Sequence, residues 1–145
     1  MRVRDILKDK SGHVVAISPE APLTSAARLM YENGIGAIIV ATQGGRMLGL
    51  LSERDLVRAA AEFAIEITTM KVEEIFTKRV TTCGLDTSLE EVMQVMHEHR
   101  FRHMPVIEHG GLKGIVSIGD VFKYLLDQAG ESEEAMLWAG TTDLL

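Results

Sequence analysis

Two short stretches carry the residues best suited to chemistry. Gly49, Leu50, Leu51, Ser52, Glu53, Arg54, Asp55 and Gly114, Ile115, Val116, Ser117, Ile118, Gly119, Asp120 each open on glycine and run through apolar residues to a serine, with an aspartate three residues on. Such a run reads as a strand passing into a helix. A helix N-terminus presents unpaired backbone N–H groups and a partial positive charge, which suit an anion. The aspartate carboxylate cannot hold a phosphate, but it accepts hydrogen bonds from sugar hydroxyls. The same residues have a second reading. Ser-x-x-Asp has the form of a capping box, in which the serine covers a first-turn amide and the aspartate reaches back. A duplication copies caps as faithfully as sites, so both readings stand at this level.

The elements that must position these junctions are themselves duplicated. Residues 29–40, LMYENGIGAIIV, lie against residues 95–106, VMHEHRFRHMPV, so that Met30 meets Met96, Glu32 meets Glu98 and Val40 meets Val106, a constant shift of 66. Upstream, Leu23, Ala26, Ala27 and Met30 form a helical apolar stripe that Leu89, Val92, Met93 and Met96 repeat. Pro22 suits a first helical turn, and Thr87 followed by Glu90 predicts a capping box. After each helix come the strands Ala37 to Ala41 or Met104 to Ile107, then a glycine pair, Gly44–Gly45 or Gly110–Gly111, where a hairpin needs positive φ. The second turn is one residue shorter, so the shift becomes 65 at Ser52 and Ser117. Leu56, Val57 and Ala60, and in the other half Val121, Tyr124 and Leu125, supply a closing helix, and the lead Val3, Arg4, Asp5, Ile6, Leu7 is echoed by Val72, Glu73, Glu74, Ile75, Phe76. Each half therefore reads strand, helix, strand, strand, helix. A unit of roughly 60 residues is marginal alone, so two units are expected to pack through their sheets about a pseudo-twofold axis, with both junctions near the cleft between them.

Composition sets outer bounds. With 145 residues, 46% of them hydrophobic, the chain has enough material for a core, and a net charge of −6 offers no general attraction to nucleic acid or an anionic membrane. The apolar runs stop short of the roughly 18 residues needed for a membrane span. Met1 to Lys10 are charged throughout and lack the apolar centre of a signal peptide, so the cytoplasm is the expected compartment. The single cysteine, Cys83, excludes an internal disulfide and a cysteine-based zinc site; it reads as a small strand hydrophobe.

The duplicated pattern, its Gly-x-x-Ser-x-x-Asp motif, the hairpin glycines, His103-Met104-Pro105-Val106 and the lead Val72 to Phe76 resemble a tandem pair of cystathionine-β-synthase (CBS) domains, a Bateman module of the stand-alone bacterial type. The resemblance covers about residues 1 to 128. It implies an α+β fold of two βαββα repeats, 1–66 and 67–130, followed by a tail, 131–145. It also implies binding rather than catalysis, with no catalytic residues. Carried over, Asp55 and Asp120 hold ribose. Ser52, Arg54, Ser117, Ile118 and Gly119 line the ribose and phosphate region, with Arg100, Arg102 and His103 as phosphate ligands. Ile17, Ile35, Gly36, Ala37, Val80, Thr82, Met104 and Pro105 shape the adenine pocket. The implied ligand is an adenine nucleotide, AMP foremost, with ATP, ADP, NAD(H) or S-adenosylmethionine as alternatives. The implied assembly is a homodimer acting on a further, unidentified protein. The halves differ, because Asn33, Gly34, Ile35, Gly36, Ala37 stand where the second has His99, Arg100, Phe101, Arg102, His103, leaving the first half Arg54 alone as a phosphate ligand.

Competing constellations point elsewhere. His97, His99, His103 and His109 crowd one region, but His97 and His99 do not share a helix face and no cysteine joins them, so no metal is expected. Met30, Met93 and Met96 read as core. The tail, with Glu131, Glu133 and Glu134 before Met136, Leu137, Trp138, Leu144 and Leu145, reads either as a frayed end or as a segment that docks on a partner subunit. Against the nucleotide reading stand two others, a ligand-free scaffold whose Ser-x-x-Asp residues only cap helices and an enzyme using the histidines.

Overall fold

The computed structural model describes residues 1–10 and 14–129, Asp9 by its backbone alone. The tail named above lies outside the described residues. The architecture is α+β, with short helices packed on two small sheets.

The first sheet has the order β1 (Ala16–Ile17), β2 (Ala37–Ala41), β3 (Met47–Ser52). β1 runs parallel to β2, placing Ile17 opposite Val40, whereas β2 and β3 pair antiparallel from Ala37 opposite Ser52 to Ala41 opposite Met47. The second sheet pairs β4 (His103–Glu108) with β5 (Gly111–Ser117), from His103 opposite Ser117 to Glu108 opposite Gly111. Here the first strand of the repeat shrinks to a single parallel bridge, Cys83 to Val106, the counterpart of Ile17 to Val40. Both hairpins shift register at equivalent points, after Val40 and after Val106, so the bulge is a repeated feature that adds local twist.

The helices follow the expected stripes. α1 spans Val3–Asp9, α2 Leu23–Asn33, α3 Glu53–Phe63, α4 Leu89–His99 and α5 Ile118–Gln128. Leu23, Ala26 and Met30 of α2 are buried, as are Leu89, Val92 and Met96 of α4, with Met93 half-buried against the same core. Three local details differ from the sequence reading. The N-cap of α4 is Ser88, whose hydroxyl accepts from the Glu91 amide; Thr87 instead accepts from Gly84 N–H, closing the turn before it. In the second hairpin the positive-φ residues are His109 and Gly110, not the glycine pair, which gives a two-residue turn of the primed kind. In the first hairpin only Gly45 is at positive φ.

The chain divides into two compact units that exchange the lead segments of the repeats. Among the described residues, 1–10 belong with 83–129, and 14–82 form the other unit. In the first of these, Val3 and Ile6 of α1 are buried with Cys83, Leu89, Val92, Met96, Met104, Val106, Val116 and Val121. Val3 N–H donates to Thr87 O at 3.0 Å and Arg4 N–H to Leu85 O at 2.9 Å, while the Arg4 guanidinium pairs with Asp86 at 2.6 Å. In the other unit Ile17, Leu23, Ala26, Met30, Ile38, Val40, Leu51 and Ala59 pack around Val72 of the 3₁₀ turn Val72–Glu74. Each fully buried aliphatic side chain contributes about 1.5–3 kcal/mol, so the lead segments are core components of the units they join.

Candidate functional site

Each Ser-x-x-Asp junction is a strand end that becomes a helix N-terminus. In the first, Ser52 ends β3 with extended backbone and its hydroxyl accepts from Asp55 N–H at 3.2 Å, while Ser52 N–H donates to Asp55 Oδ2 at 2.9 Å. In the second, Ser117 accepts from Asp120 N–H at 3.1 Å and donates its own amide to Asp120 Oδ2 at 3.0 Å. The reciprocal capping box read from the sequence is present twice. It satisfies the serine amide and one first-turn amide and leaves the other first-turn donors of α3 and α5 outside the box.

The strand before each helix is fastened to the junction in the same way. Glu53 N–H donates to Gly36 O at 2.9 Å, and Ile118 N–H donates to Arg102 O at 2.9 Å. Gly36, Ala37, Ser52, Arg54 and Asp55 therefore lie together in one unit, and Arg102, His103, Ser117, Ile118, Gly119 and Asp120 in the other. Ile17 and Ala37 are buried on the first sheet and Ile35 is half-buried; Met104 and Pro105 are buried on β4. Val80 is half-buried and Thr82 exposed, both following β1–β3 of the first sheet in the chain. Arg100 and Arg102 are exposed and His103 half-buried. Arg100 caps α4 in the left-handed conformation, φ 59°, the place Gly34 takes after α2 with φ 62°. A side chain there costs about 1 kcal/mol over glycine, so an arginine is held where the backbone favours none.

The two carboxylates have different company. Asp55 receives the Thr77 hydroxyl at 3.4 Å on Oδ2 and 3.5 Å on Oδ1, long contacts from the segment after the 3₁₀ turn. Asp120 receives the Lys10 ammonium on Oδ2 at 2.6 Å, and the same ammonium donates to Ile115 O at 2.7 Å. Burial alone would raise the Asp120 pKa, but the Lys10 hydrogen bond and charge and the Ser117 amide and hydroxyl outweigh it and hold the carboxyl below its ordinary value. Thr77 and Lys10 are the residues sequence reading missed. Each follows a lead segment, but the lead alignment of Val3 with Val72 pairs Thr77 with Lys8 and Lys10 with Arg79, so it singles out neither.

Among the described residues the histidines form no cluster with other metal-binding side chains. His97, His99 and His109 are exposed, and His99 stacks on Phe101 with ring centres 5.9 Å apart. Among the described residues no three His, Cys, Asp or Glu side chains come together as a metal set. Cys83 is buried, and burial, then the nearby Glu91 charge, pushes its pKa up to about 11; such a thiol is a poor nucleophile. Among the described residues no helix is long and apolar enough to cross a membrane.

Two small α+β repeats, each ending in a Ser-capped helix behind a β-hairpin, define a duplicated module. The chain belongs to the CBS-domain family, whose model matches it twice, over residues 3–62 and 72–127. It is 36% identical over 115 residues to an uncharacterised 17.7 kDa protein of Acidianus ambivalens, covering 79% of this chain and 68% of that one. The fold matches the crystal structure of a CBS-domain containing protein from Agrobacterium tumefaciens with a TM-score of 0.83 and 38% identity, covering 86% of this chain and 98% of that one. It also matches, with a TM-score of 0.78 and 22% identity over 88% of this chain and 98% of the other, the CBS domain pair of protein MJ0100, solved in complex with 5′-methylthioadenosine and S-adenosyl-L-methionine. At that identity the likeness is one of fold.

Proposed function

We propose that this protein is a regulatory adenine-nucleotide sensor that changes the state of a partner protein according to the ligand bound, without catalysing a reaction. The observation that carries the reading is the pair of partly buried aspartates, Asp55 and Asp120, each at the N-terminus of an 11-residue helix and each with Oδ1 outside its capping box. A carboxylate at a helix N-terminus presents an acceptor for ribose hydroxyls where the partial positive charge of the helix favours an anion. The adenosine-type ligands of the MJ0100 pair support the ligand class. In this reading Asp55 and Asp120 hold ribose, and Ser52, Arg54, Ser117, Ile118, Gly119, Arg100, Arg102 and His103 serve ribose and phosphate. Ile17, Ile35, Gly36, Ala37, Val80, Thr82, Met104 and Pro105 receive the base, AMP is the foremost ligand, and the cytoplasmic chain works as a homodimer. Regulation then rests on differential affinity of the ligand for two arrangements of the protein.

The completeness of both capping boxes favours a second reading, a ligand-free scaffold in which these residues serve the helices alone. Thermal unfolding with AMP, ADP, ATP, NAD(H) and S-adenosylmethionine separates the two. A ligand at 100 times its dissociation constant stabilises the native state by about 2.7 kcal/mol, and that gain is expected to vanish in Asp55→Ala or Asp120→Ala. No shift with any ligand in a folded sample supports the scaffold.

A further inference from the structure

We infer that Lys10 sets the charge class of ligand accepted at the second junction, making it selective for adenine compounds that carry a 5′-phosphate over neutral adenosine. The inference rests on the nucleotide-binding reading above and concerns a residue outside the Ser-x-x-Asp motif, 110 positions from Asp120. Three observations carry it. The ammonium lies 2.6 Å from Asp120 Oδ2, where its charge offsets the carboxylate that a phosphate-bearing ligand would otherwise face. Of its three N–H donors, one goes to Asp120 and one to Ile115 O at 2.7 Å, so a third remains beyond these two bonds. The Lys10 and Ser117 N–H bonds to the Asp120 carboxylate both fall on Oδ2, which leaves Oδ1 outside these two bonds to accept a ribose hydroxyl without displacing the lysine. A donor of fixed charge and an acceptor thus stand side by side, matching an anionic group and a sugar hydroxyl of one ligand.

The first junction provides the internal contrast. There the neutral Thr77 hydroxyl, at 3.4 and 3.5 Å, stands beside Asp55. A hydroxyl carries no charge, so this contact does not offset the Asp55 carboxylate as the Lys10 ammonium offsets Asp120. Lys10 is held from behind by α1, whose Val3 and Ile6 are buried in the same unit as Asp120, so its approach is built into the packing. With its side chain 40% exposed, it keeps the freedom to lean toward a ligand without leaving the carboxylate.

The test compares AMP with adenosine, which differ only in the phosphate, by calorimetric titration of the full chain. An Asp55→Ala background confines the reading to the second junction. Lys10→Met is expected to lower the ratio of AMP to adenosine affinity by about tenfold, the loss of one charge-assisted contact, and Lys10→Arg is expected to restore most of it. Lys10→Gln serves as a second neutral variant should Lys10→Met fold poorly. A merely structural ion pair would weaken both ligands alike and leave the ratio unchanged; that result overturns the inference while leaving nucleotide binding intact. Binding of neither ligand to the Asp55→Ala background overturns the inference, and binding of neither to the unmodified chain overturns the nucleotide reading with it.

Discussion

The two junctions agree closely in what is local and differ in what arrives from elsewhere. The serine amide to aspartate Oδ2 distances are 2.9 and 3.0 Å, and the return bonds to the serine hydroxyls are 3.2 and 3.1 Å. Beside those matching caps, one aspartate meets a threonine hydroxyl and the other a lysine ammonium. The motif glycines show the same division. Gly49 lies against the backbone of Thr77 and the ring of Phe76, whereas Gly114 lies against the tip of Leu7. Duplicated sequence therefore reproduces the junction, and the lead segment packed on it gives each junction its own chemistry.

The comparison breaks most visibly at the glycines. A Cβ at Gly49 would collide with the Thr77 carbonyl oxygen and come within 2.8 Å of the Phe76 ring. Neither can retreat cheaply, because Leu50 N–H donates to Thr77 O and Thr77 N–H to Leu50 O, both at 2.9 Å. A Cβ at Gly114 would meet Leu7 Cδ2 at 3.0 Å, the mobile end of a half-buried side chain. Gly49→Ala is expected to destabilise by about 3 kcal/mol or more and Gly114→Ala by about 1 kcal/mol. Urea unfolding of both variants checks this, and equal losses would show that the two lead segments pack alike.

Much of this was legible because it is local. The shift of 66 and then 65, the helical stripes, the capping boxes and the strand–helix junctions all depend on neighbours within about seven residues, which periodicity and turn chemistry report. The α4 cap was placed one residue early because Thr87 and Ser88 are both good caps, and only the Gly84 turn decides which is engaged. What stayed hidden is long-range. Val3 to Leu7 resembles Val72 to Phe76, yet similarity between segments does not say which repeat each one packs on, and the units exchange them. For the same reason nothing in the sequence places Lys10 beside Asp120. Of the candidate site, the motif residues and the strand ends beside them were readable, and the charge that distinguishes the two aspartates was not.

A smaller effect lies at the ends of the closing helices. Ala64 caps α3 at φ 51°, ψ −128°, a region nearly reserved for glycine, and its N–H donates to Ala60 O. Ala129, the equivalent residue after α5, sits at φ −71°, ψ 1°. Strain of this kind costs on the order of 1–3 kcal/mol, partly offset in a glycine variant by the greater freedom of the unfolded chain. Ala64→Gly is therefore expected to raise stability by about 1 kcal/mol, while Ala129→Gly is neutral or slightly destabilising. Thermal melts of the two variants sharpen the contrast, and a loss of stability in Ala64→Gly would mean that the joint between α3 and the 3₁₀ turn Ala64–Thr69 is not strained.

The smallest effect concerns acid. Because the folded-state pKa of Asp120 is held below its ordinary value, the folded protein binds this proton less readily than the unfolded chain. The resulting stability is complete above the unfolded pKa of about 3.9 and is lost as pH falls through the lower folded value. The side chains are 40% and 27% exposed, so solvent screening limits the contribution to under about 1 kcal/mol. Removing the ammonium with Lys10→Met leaves burial, which pushes the pKa upward, against the Ser117 bonds alone. The variant should therefore lose less stability than the parent between pH 5 and acid below the folded pKa, because part of what acid removes is already absent. Adding about 0.5 M salt should weaken the parent's pair and narrow the gap between the two proteins. Denaturant titrations across that pH range measure the gap directly. If the two curves run parallel, Lys10 does not hold the Asp120 carboxylate in its charged form, and the electrostatic distinction between the two junctions disappears.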